Sequence, residues 1–171
     1  MRFSAAVCLL YTGGMPRVIA ISYSPKADEP RPEDFYHRVP CASAALVVDR
    51  GIEGDRKGAA GGKRQLNVMS AEMLAGLRDE GFKTQPGEMG EQIVLEGIDI
   101  DCLAGGTRLR IGSSAIIEVE YPRTGCSRFE RIQGKFKGLV RGRLGMMVRV
   151  VQSGQIGVGD PVEFEPAPIG R

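Results

Sequence analysis

The chain predicts a mainly β domain, a closed β-barrel-like sheet with a few short helices, on three observations. Short runs rich in Val and Ile recur along its length, several with apolar and polar residues alternating. Glycine-punctuated turns separate most of them, and 24 of the 171 residues are glycine. Only residues 71–80 carry convincing helical spacing. This order argues against a parallel α/β sheet, and closing the sheet on itself removes exposed edges.

Taken in order, residues 1–15 are expected to be an N-terminal tail. The apolar run after Arg2 is too short to span a membrane and lacks a signal-peptide cleavage pattern. The domain is expected over 16–165 and a C-terminal tail over 166–171. A first strand is read at 17–23, ending at Ser24-Pro25. Residues 26–40, with three prolines among many charges, read as an exposed loop, and its His37 is given no role. Strands are read at 44–49 and 64–69, the second with Leu66 and Val68 inward and Gln65 and Asn67 on a polar face. Ser70 is placed to cap the helix over 71–80, which Gly81 stops. Further strands follow at 92–95, 107–111, 115–121, 145–151 and 161–165, the last with Val162 and Phe164 inward.

The bulk numbers limit function. A hydrophobic content of 42% and charged content of 26% are those of a soluble domain, and the scattered cysteines indicate no disulfide framework, so the cytosol is the default compartment. The net charge of +2 gives no reason to expect nucleic acid, and no membrane association is expected. Seven cations between Tyr121 and Arg143 face one acid, Glu130, which suits an anionic ligand. That stretch lacks the interleaved aromatics of a base-stacking surface, so nucleic acid is not expected there either. Cys8, Cys41, Cys102 and Cys126 are scattered, with no C-x-x-C and His37 far away, which argues against a structural zinc site. The glycine-rich stretches 51–55 and 58–64 match neither a Walker A nor a dinucleotide fingerprint.

One stretch carries chemistry. Pro122 is expected to end the strand before it, Gly125 to turn the chain, and 127–132 to form a short helical turn. Cys126 then sits at a helix start between Arg123 and Arg128. Positive charge and unpaired backbone N–H groups favour thiolate over thiol. Such a thiolate is a nucleophile or a soft-metal ligand.

Gly51-Ile52-Glu53-Gly54-Asp55-Arg56, Arg64-Gln65-Leu66-Asn67-Val68, Pro86-Gly87-Glu88-Met89-Gly90-Glu91, Pro122-Arg123-Thr124-Gly125-Cys126-Ser127 and Gly157-Val158-Gly159-Asp160 follow one another in that order. In this the chain resembles a stand-alone MOSC domain, the family named after the C-terminal domain of molybdenum cofactor sulfurase. The resemblance spans about residues 16–165. It implies a mostly β fold on a closed barrel and binding of molybdenum cofactor (molybdopterin). It also implies that Cys126 is the catalytic residue and the molybdenum ligand or sulfur carrier. For the anionic pterin's phosphate, Arg123, Arg128, Lys63 and Arg64 are the expected donors, and Gln65, Asn67 and Gln92 are expected at the pterin edge.

Two departures stand out. Many relatives have His where this chain has Lys57, and Asn where it has Gln92. Larger relatives, such as the mitochondrial amidoxime-reducing component, add an N-terminal β domain, so the cofactor site here is expected to be open, completed by a partner, or absent. The leading expectation is a molybdenum-dependent oxidoreductase acting on N-hydroxylated compounds. Electrons would come from a separate reductase, since no flavin, haem or iron–sulfur signature is present. The alternative is a non-catalytic carrier of sulfur, as a persulfide on Cys126, or of the cofactor.

Overall fold

The computed structural model describes residues 14–26, 30–58 and 65–166. It is mainly β, with two short α-helices among the described residues. The strands are β1 Arg17–Tyr23, β2 Val39–Cys41, β3 Ser43–Val47, β4 Gly51–Ile52, β5 Leu66–Ser70 and β6 Ile93–Glu96. They continue as β7 Arg108–Ile111, β8 Ala115–Pro122, β9 Met146–Gln152, β10 Gly154–Gly157 and β11 Val162–Glu165. The helices are α1 Ala71–Asp79 and α2 Ser127–Gln133, and a 3₁₀ turn covers Lys137–Val140. Eight strands form one sheet in the order β11-β7-β8-β9-β5-β6-β1-β2, while β10, β3 and β4 form a second.

The large sheet curls but does not close, which corrects the expected barrel. Its ends approach where Arg17 bridges Pro161. There Val18 N–H donates to the Asp160 carbonyl and Val162 N–H to that of Pro16. Pro16 has no N–H to return the Val162 bond, and Asp160 N–H turns to the Gly157 carbonyl, so contact stops at a bridge. Most neighbours are antiparallel, but β5 and β6 run parallel. A parallel pair needs a crossover, and α1 supplies it. Ser70 caps α1 by accepting from Met73 N–H, and Gly81 follows at φ +83°.

Two apolar clusters sandwich β5. Leu66 and Val68 join the larger one with Ile93, Ile117 and Val148. Met69 joins a second with Leu77 of α1, Phe129 of α2, Val140 of the 3₁₀ turn and Leu144 of the loop before β9. Every residue of β5 is therefore buried, Asn67 included. One smaller expectation also changes. Phe164 lies on the edge strand β11 and is 43% exposed rather than inward. Pro122 is the last residue of β8, as expected, and pairs with Met146.

Candidate functional site

At the end of β8 the chain leaves the sheet through Arg123-Thr124-Gly125 and enters α2 with Cys126 as its first flanking residue. Cys126 is in extended conformation (φ −125°, ψ 173°), and its side chain makes no capping bond. It is an exposed free thiol. Gly125 packs against the 3₁₀ turn, where an added Cβ would come within 2.8 Å of Lys137 Cβ.

Cys126 opens onto a cleft of about 720 Å³. Arg123, Arg128 and Asn67, expected from the sequence, line it too. The opposite contribution comes from the proline-rich loop and the turn after β4, through Arg31, Tyr36, His37, Arg38, Arg56 and Lys57. The loop is held by the arginines themselves. Arg128 donates through Nη2 to the carbonyl oxygens of Pro32 and Phe35, at 2.7 and 3.1 Å. Arg123 donates to the Met89 carbonyl and, at 3.2 Å, to the Tyr36 hydroxyl. Both guanidinium groups lie near the Tyr36 ring, at 5.8 and 5.2 Å from its centroid. Burial pushes the Tyr36 hydroxyl above its ordinary pKa, and Arg123 opposes that rise. Gly90 allows this packing, since its φ is +87° and a Cβ there would lie 2.9 Å from Arg123 Nη2.

Beneath the cleft lies a buried ion pair. Arg38 Nη1 meets Asp55 Oδ2 at 3.1 Å, with side chains 3% and 1% exposed. Asp55 also accepts from the backbone N–H of Lys57 at 2.8 Å and of Ser24 at 3.3 Å. Burial lowers the Arg38 pKa, and the Asp55 charge partly restores it. Lys57 is lowered to about 8, by burial first and then by Arg38 and Arg123.

Asn67 is the unusual group. It is 2% exposed, and neither Oδ1 nor Nδ2 has a hydrogen-bond partner among the described residues. An unsatisfied buried carboxamide costs about 1–3 kcal/mol, so one facing a cleft is suited to a ligand with both a donor and an acceptor.

Gln65 and Gln92 do not face the cleft, contrary to expectation. Gln92 Oε1 accepts from Asn67 N–H at 2.9 Å, and its Nε2 donates to the Gln65 carbonyl at 3.2 Å. Gln65 Oε1 accepts from Val150 N–H at 2.9 Å. These bonds complete backbone pairing where β5 runs out, and neither side chain lines the cleft. Lys63 and Arg64 lie outside the described residues. Sequence reasoning set His37 aside and did not consider Arg31, Tyr36 or Arg38, because all sit in a loop whose polarity read as solvation.

Among the described residues no three His, Cys, Asp or Glu side chains cluster to hold a metal ion. A metal here would need ligands from a cofactor beside Cys126. Cationic walls, an accessible thiol, an unpartnered carboxamide and the cleft's size all fit a phosphate-bearing pterin that carries a soft metal. Among the described residues no helix is long and apolar enough to cross a membrane.

The MOSC domain family model matches residues 55–163. The fold is similar to the crystal structure of YiiM from Geobacillus stearothermophilus, at 21% identity and TM-score 0.67 over 91% of this chain and 77% of that one. It is also similar to the YuaD protein of Bacillus subtilis, at 16% identity and TM-score 0.71 over 86% and 94%. YiiM of Escherichia coli aligns at 20% identity and TM-score 0.64 over 88% and 70%. No curated protein matches the sequence.

Proposed function

Because the chain belongs to the MOSC domain family, which is linked to molybdenum cofactor binding, we propose that it holds this cofactor in the cleft beside Cys126. We propose further that it acts there as an oxidoreductase on N-hydroxylated compounds. The observation that carries the proposal is the accessible Cys126 thiol in a cleft whose charged lining residues are all cations. A soft thiolate completes the coordination of a metal already held by dithiolene sulfur. Bound there, the cofactor supplies a two-electron metal centre able to accept oxygen. Arg123 and Arg128 would bind anionic groups near the metal, and Asn67 would donate to and accept from the heterocycle edge. In the reaction two electrons and two protons enter, the N–O bond breaks, and amine and water leave. The electrons come from a separate reductase.

The test is elemental analysis for molybdenum in protein made in a cofactor-competent host, wild type against Cys126→Ala, with reduction of an N-hydroxylated compound followed in parallel. Wild type should carry molybdenum that the variant loses. Equal metal in both would remove Cys126 from the ligand role. The exposure of Cys126 also supports a second reading, a carrier that bears sulfur as a persulfide. That reading expects a reductant-sensitive extra sulfur atom by mass spectrometry and no turnover.

A further inference from the structure

The cleft holds more positive charge than one cofactor phosphate neutralises. Arg31, Arg38, Arg56, Lys57, Arg123 and Arg128 line it, and no carboxylate side chain does. The nearest acid, Asp55, is buried and engaged by Arg38 and by the N–H groups of Ser24 and Lys57. A phosphate group brings about two negative charges. Arg123 and Arg128 stand beside Cys126, where the cofactor's own anionic groups belong. Arg31 and Lys57 form a second group, and each repels the other. Neither side-chain cation has a hydrogen-bond or ion-pair partner among the described residues. Arg31 is exposed and Lys57 half-buried, so the Lys57 charge is the one that an anion in the cleft would relieve.

We infer that Lys57 and Arg31 form an anion subsite, separate from the cofactor's phosphate, that selects substrates carrying a phosphate group. This rests on the reductase reading above. Asn67 gives an independent sign that the same cleft is built for a ligand, since its buried carboxamide lines it with neither polar atom paired among the described residues. Lys57 adds a chemical signature. Its pKa of about 8 is held down by burial and by Arg38, Arg123 and Arg31, with Asp55 opposing. A dianion bound beside it would restore protonation, so binding above that pH should take up a proton.

The test uses the full chain, with and without cofactor, and phenyl phosphate as the probe with phenol as control. Calorimetry in buffers of different ionisation enthalpy reads both affinity and proton uptake. Cofactor-loaded protein should bind phenyl phosphate and not phenol, with net proton uptake above about pH 8, where unliganded Lys57 has begun to lose its proton. Lys57→Gln should weaken binding by about tenfold or more and abolish the uptake, and Arg31→Gln should weaken it similarly. In turnover, a benzamidoxime bearing a ring phosphate ester should exceed its unphosphorylated parent in kcat/KM by about tenfold, a preference that Lys57→Gln collapses.

Binding lost once the cofactor is loaded would assign the subsite to the cofactor's phosphate and overturn the inference. So would binding indifferent to both substitutions, or equal kcat/KM for the two benzamidoximes. If neither compound is reduced but loaded protein still binds phenyl phosphate through Lys57, the reductase reading fails and the anion subsite stands.

Discussion

Replacing Asp55 by alanine should be among the most damaging single changes outside the apolar core. The substitution leaves the Arg38 guanidinium, on a side chain 3% exposed, without its counter-charge. Removing one partner of a buried pair costs about 3–5 kcal/mol, because the other charge stays desolvated. Two backbone donors, Lys57 N–H and Ser24 N–H, also lose their acceptor, each worth about 1 kcal/mol. Arg38 keeps its bond to the Gly90 carbonyl, which moderates the total. The expected loss is about 4 kcal/mol, a large part of the ~5–15 kcal/mol typical of a domain. Urea unfolding at pH 7 reads it directly. The double-mutant cycle with Arg38→Met isolates the cause. In that background no orphan charge remains, so Asp55→Ala should cost only about 1–2 kcal/mol, leaving a coupling of about 2–3 kcal/mol. A loss below about 1 kcal/mol, or the same loss with and without Arg38, would refute this account of the site's foundation.

Three further predictions concern separate elements. Asn67→Leu removes a buried carboxamide unpaired among the described residues and should raise the Tm of cofactor-free protein by roughly 2–4 °C while weakening cofactor retention, read by calorimetry and by bound pterin. Asp101 is raised to about 6 from 3.8, mainly by burial, so the native state holds a proton there that the unfolded chain has lost. Its contribution is present below about 4 and is lost as pH rises through about 6; Asp101→Asn should flatten the urea-midpoint profile over that window. Gly145 has φ +77°, and a Cβ there would lie 2.1 Å from the Val68 carbonyl oxygen. Gly145→Ala should therefore cost several kcal/mol (about 3 or more) or prevent folding, visible as loss of soluble protein or of a cooperative melt.

Much of the fold was legible because its causes are local. The alternation 115–121 marks β8, Ser70 and Gly81 bracket α1, and Gly87 and Gly90 sit where positive φ demands glycine. The reading failed where distant strands intervened. Alternation at Gln65 and Asn67 marks a polar face, but nothing local says that Gln65 turns its amide to Val150 N–H while Asn67 lines the cleft. The barrel expectation failed for a related reason, since whether two distant edges pair or merely touch depends on the curl of the whole sheet.

The chain's own order was enough to settle that Cys126 would emerge from a strand end between two arginines, because neighbours in sequence stay neighbours in space. Folding alone decided what would face that thiol. Arg128 reaches Pro32 across 96 positions, and with that contact Tyr36, His37 and Arg38 come to the cleft wall. The unpaired state of Asn67 and the lowered pKa of Lys57 were decided there too. Both follow from removing a group from water, and desolvation belongs to the packed molecule rather than to any stretch of its chain.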